Sequence, residues 1–149
     1  MATYRFEREV AIAAPRDRVF AELSEPARFL GLQPLLVDVR EIAAPPGARA
    51  FEAIERVPLL GRLAARSRLR VELLPMPARH RIEIATRGPL GIRLVGAFDL
   101  DGGSATTHVR ESIVLRCPLP LGRFARREAI RAQEALLANL KQRLEAPAR

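Results

Sequence analysis

Two glutamates stand where strand patterning calls for apolar side chains. Glu55 interrupts the set Phe51, Ala53 and Val57, and Glu111 interrupts Thr107, Val109, Ile113 and Leu115. Arg8 does the same among Phe6, Val10 and Ile12. An unpaired charge in an apolar interior costs several kcal/mol, so such groups are paired, reach water, or serve a purpose. In the functional reading, Glu55 or Glu111 in an apolar pocket is a candidate general acid or base, and Arg8 would hold a carboxylate or enolate. In the structural reading the charges form an ion pair, or a bulge turns one of them to solvent. Gln133 is a further polar exception, between Ile130 and Leu137, and its amide needs a partner from a ligand, a main-chain carbonyl or water.

Other chemistries find little support. His80 keeps phase with Ile82 and Ile84 but sits at the start of its segment, beside a proline-rich turn, whereas His108 falls out of phase with Val109 and Ile113. With these two histidines and Cys117 as the sole cysteine, neither a structural metal site nor an internal disulfide is expected. No glycine-rich phosphate loop follows a strand, which argues against a nucleotide; no cofactor is expected. The formal charge of +8 is almost all arginine, Lys141 being the only lysine. Without docking motifs or clustered aromatics it does not argue for a nucleic-acid face. Arg66, Arg68, Arg70, Arg81 and Arg87 would make a basic convex face, solvated or suited to an anionic lipid headgroup or membrane surface. No apolar run approaches the ~20 residues of a membrane span, and the N-terminus alternates charged and apolar residues, so a cytoplasmic protein is expected.

The elements that must position these residues follow from periodicity. The segment from Tyr4 to Ala13 alternates as a half-buried strand. Pro15 then introduces a short helix with Val19, Phe20 and Leu23 on one face. Ser24 is placed to cap a second, Glu25 to Leu30, which Gly31 would end. Extended segments come next: Leu35, Val37 and Val39 on one face, then Ala50 to Val57, Ala64 to Leu74, a strand around Ile82 and Ile84, and Ile92 to Leu100. The turn Asp101-Gly102-Gly103 leads to a last strand, about Ala105 to Cys117. From Leu121 to Glu145 there is no proline, and Ala129, Ile130, Leu136, Leu137, Leu140 and Leu144 form one helical stripe. Phe124 falls off that stripe, and the apolar connection Pro58-Leu59-Leu60-Gly61 is placed as a lid or a core plug. The order predicts a single α+β domain over residues 1–149, with a curved antiparallel sheet of about seven strands around a long C-terminal helix.

The stretch Val10-Ala11-Ile12-Ala13-Ala14-Pro15 through Leu23, with Pro120-Leu121-Gly122 leading into the last helix, resembles the START-like or polyketide cyclase/dehydrase-like superfamily. Phe20 and Leu32 replace aromatic residues common there. The resemblance implies the helix-grip fold and a cavity between sheet and helix for a lipid, polyketide or other hydrophobic molecule, which some relatives cyclise and others only carry. In that topology the first and last strands are neighbours, so Arg8 and Glu111 would meet. The expected binding set joins Arg8, Glu55, Glu111 and Gln133 to the apolar residues of the helix-facing side: Phe51, Leu69, Val71, Ile82, Ile84, Ile92, Leu94, Phe98, Val109, Ile113 and Leu137. The expected function is binding or transport of that molecule. The alternatives are a cyclase/dehydratase using a pocket carboxylate, and an interaction protein with a basic face and a filled core.

Overall fold

The computed structural model describes residues 1–58 and 62–147. The alternating segments form strands β1 (Ala2–Ile12), β2 (Leu36–Ile42), β3 (Arg49–Pro58), β4 (Ala64–Met76), β5 (Arg81–Arg87), β6 (Arg93–Gly102) and β7 (Thr107–Cys117). All pair antiparallel in one sheet of order β1-β7-β6-β5-β4-β3-β2. Helix α1 (Arg16–Ser24) follows β1, and helix α2 (Gly122–Glu145, 24 residues) closes the chain across β1 and β7.

Curvature has a visible local cause at Gly96. A Cβ there would overlap the main-chain oxygen of Ser112, so only glycine lets β6 approach β7 this closely on the concave side. Gly122 plays a similar part at the start of α2, where a side chain would overlap the Tyr4 hydroxyl.

Three local expectations are corrected. Ser24 caps nothing: its hydroxyl donates to the Phe20 carbonyl one turn back, at 2.7 Å, and the next element is a 3₁₀ turn over Pro26–Phe29. Val37 does not share a face with Val39, because the β2–β3 register shifts between Leu36 and Asp38; Val37 is exposed, and Leu36 packs inward in its place. Arg8 and Glu111 are register partners but form no ion pair, since Arg8 lies on the sheet's edge strand and its guanidinium reaches Glu134 of α2 at 2.7 Å. Residues 59–61 of the suggested lid lie outside the described residues.

The concave side is unevenly filled along α2. Its C-terminal half carries Leu136, Leu137, Leu140 and Leu144, which pack with α1 and with Ile12, Ile82, Phe98 and Val109 into a closed core. Its N-terminal half offers Ala125, Ala129 and Ala132 to the sheet, and small side chains leave space.

Candidate functional site

That space is a cavity of about 270 Å³. It sits toward the end of the sheet where β7 gives way to α2, β5 turns into β6 and β3 ends. Phe51, Leu69, Val71, Ile84, Leu94 and Ile113 supply apolar wall from the strands and Ile92 from the β5–β6 turn; Phe124, Ala125, Ala129, Ala132 and Leu136 supply it from α2. Phe124 is off the leucine stripe because it faces this hollow.

Glu111 lies at the floor. It shares a register row with Phe98 and Ile82, both fully buried in the closed core, and is itself only 4% exposed. The Gln133 Nε2 donates to the Glu111 main-chain oxygen at 3.0 Å, which leaves Glu111 Oε1 buried without a partner. Burial pushes the Glu111 carboxyl up to about 8, with the Gln133 amide working against it. Glu55 lies nearer the open end, opposite Ser67, and burial raises it to about 7. Both carboxyls therefore change charge close to neutrality, unlike an ordinary glutamate.

Glu22 shows how this chain treats a carboxylate whose role is structural. It is nearly as buried as Glu111, yet Arg143 donates to it at 2.9 Å and Arg28 at 3.1 Å, tying α1 and the 3₁₀ turn to α2. Among the described residues no cation reaches Glu111. A buried acceptor without a partner is costly, and Gln33 Oε1, also on the cavity wall, is a second one.

Of the residues singled out in the sequence, Phe51, Glu55, Leu69, Val71, Ile84, Ile92, Leu94, Glu111, Ile113 and Gln133 line the hollow. Ile82, Phe98, Val109 and Leu137 do not; they belong to the closed core, because α1 and the large leucines of α2 fill the concave face at their level. Arg8 stands outside, half exposed on Glu134. Periodicity missed Glu128, Gln33, Ser67 and Thr86, which also line the wall. Glu128 was legible: it follows Phe124 by four residues and precedes Ala132 by four, which puts all three on one helical face.

A curved antiparallel sheet gripping one long helix over an apolar, acid-lined hollow defines the helix-grip class. The chain belongs to the polyketide cyclase / dehydrase and lipid transport family, whose profile matches residues 3–145. Solved structures agree in fold. A START superfamily protein from Mycobacterium smegmatis is 16% identical, with 95% of this chain and 97% of that one covered and a TM-score of 0.77. The Zhui aromatase/cyclase from a Streptomyces species is 16% identical over 97% and 98%, with a TM-score of 0.68. Norcoclaurine synthase from Thalictrum flavum is 13% identical over 97% and 88%, with a TM-score of 0.70. At such identities the likeness is one of fold. No curated protein matches the sequence significantly.

Proposed function

We propose that the chain binds a compact, uncharged, largely apolar molecule bearing a carbonyl or hydroxyl group, with that group seated at Glu111. The observation that carries this reading is the pairing of a hollow with buried oxygens, Glu111 Oε1 and Gln33 Oε1, that no group among the described residues satisfies. The volume is slightly below the roughly 300–1,000 Å³ of typical small-molecule sites, which favours a small ligand or the end of a longer one.

Charge narrows the class further. Among the described residues the lining holds Glu55, Glu111 and Glu128 but no arginine, lysine or histidine. An inward-pointing carboxylate or phosphate would meet like charge or a neutral acid with no cation to stabilise it. At neutral pH the protonated Glu111 donates to a carbonyl oxygen, and Gln33 Oε1 accepts from a hydroxyl.

The first test is native mass spectrometry of the purified protein with extraction of any passenger, followed by titration with ketones, alcohols and acids of matched, compact size. Tighter binding of ketone and alcohol than of acid is expected. Preference for the acid would overturn the reading.

A second reading is acid–base catalysis next to a carbonyl, supported by two carboxyls that burial raises to different values, about 7 for Glu55 and about 8 for Glu111. Glu111 would hydrogen-bond the carbonyl oxygen while ionised Glu55 takes the proton from the adjacent carbon. Proton–deuterium exchange at that carbon of a bound ketone, lost in Glu55→Gln, is the expected signature; exchange at the buffer rate would remove it.

A further inference from the structure

Two rows of residues cross the convex face of the sheet, and they treat charge in opposite ways. Toward the closed end the register places Glu9, Arg110, Asp99 and Arg81 side by side. Signs alternate there, and neighbours pair: Arg81 with Asp99 at 2.8 Å, Arg110 with Glu9 at 3.6 Å. Toward the cavity end the corresponding row reads Arg116, Arg93, Arg87 and Arg70. All four are exposed, and none makes an ion pair among the described residues. The row ends at Glu52, whose carboxylate is held by Arg40 at 2.6 Å. Like charges directly opposite across strands are destabilising, so this row is kept against its own repulsion.

The same end carries the most exposed large apolar side chains among the described residues: Leu90 at 72%, Leu119 at 71%, Leu63 at 68% and Met1 at 62%. Leu90 occupies the β5–β6 turn, Leu119 the connection to α2, and Leu63 the lead into β4. Leu90 is moreover held at φ 60°, a left-handed conformation that a leucine adopts at a cost and glycine would take freely. Leu90 lies three residues from both Arg87 and Arg93, and Leu119 three from Arg116. Three residues of chain span at most about 10 Å, and these bend in 3₁₀ turns, so the backbone of the arginine row lies within about 10 Å of that of Leu90 and Leu119. An apolar edge dipping roughly 5–10 Å into a bilayer surface would therefore bring the arginines to the headgroups.

We infer that this end of the molecule docks on an anionic lipid bilayer, with Leu63, Leu90 and Leu119 inserted and the arginine row on the lipid phosphates. A nucleic acid or acidic protein would use the arginines but gives the exposed leucines no role. The docking surface stands apart from the ligand reading above, although it would turn the cavity's open end toward the membrane.

The test is flotation with vesicles of phosphatidylcholine alone or mixed with phosphatidylglycerol. Binding only to the mixed vesicles, weakening with salt, is expected. Leu63→Ser/Leu90→Ser/Leu119→Ser should bind at least tenfold more weakly, and Arg87→Gln/Arg93→Gln about fivefold more weakly per arginine removed. Neither variant should melt below the wild type, since all five positions are exposed. Arg18→Gln, on α1, should change nothing, and Ala132→Phe, which fills the cavity, should still dock; that separates failure of docking from failure of ligand binding. Equal binding to neutral vesicles, indifference to the leucine changes, or capture of RNA with no vesicle binding would each overturn the inference.

Discussion

Burial alone does not distinguish Glu22 from Glu111; partners do. Glu22 has two arginines, whereas Glu111 has an unpartnered oxygen and a carboxyl that burial holds near 8. Because the folded protein keeps Glu111 neutral while the unfolded chain ionises it near 4.5, the contribution of Glu111 to stability is fully present below 4.5 and is lost as pH rises from there through about 8. Glu55 adds to the same fall, up to about 7. Glu111→Gln should flatten this decline, by an amount on the order of a few kcal/mol between pH 5 and 9 in denaturant titrations. The same variant keeps a donor, so it should bind a ketone independently of pH, while the wild type loses affinity above about 8. A wild-type affinity flat from pH 6 to 9 would contradict Glu111 as the donor. Glu111 and Glu55 were legible as charges in an apolar phase; the absence of a partner was not, because Arg8, adjacent in register, turned to Glu134 instead.

At the scale of elements, α2 is two helices in function: its leucine half seals the core and its alanine half leaves the hollow. Ala129→Leu should therefore raise stability by about 0.5–2 kcal/mol, as cavity-filling changes commonly do, while abolishing ligand binding; calorimetry and titration on one sample check both. Gly96→Ala should cost about 1–3 kcal/mol, since the added methyl overlaps the Ser112 carbonyl and must push β6 from β7. On the convex face, Arg93→Thr relieves repulsion from Arg87 and Arg116, and should stabilise the protein by about 0.2–1 kcal/mol at low ionic strength. That gain should vanish in high salt.

For the molecule as a whole, the closed end is packed and ion-paired, and the other end is hollow, basic and edged with exposed leucines. Amide exchange should follow this polarity: slow in the strand ends around Ile12, Val109 and Leu100, faster around Gly88 to Ile92 and the first turns of α2, with ligand slowing only the latter. The strands, α1 and α2, their order and the family resemblance could be read from the chain, since alternation and helical spacing are local properties of sequence; the second short helix could not, being a 3₁₀ turn over Pro26–Phe29. So could the two carboxylates, which break a local pattern. The bulge at Val37 could not, because one extra residue reverses a strand's faces without altering its composition. Nor could the division of one continuous apolar face into filled core and open cavity, which separates Ile82, Phe98, Val109 and Leu137 from the ligand wall. That division depends on which side chains α1 and α2 bring across from the other layer, and the arginine row likewise exists only once register aligns four successive strands. Periodicity reports which way a side chain points; what it meets there is decided by tertiary packing.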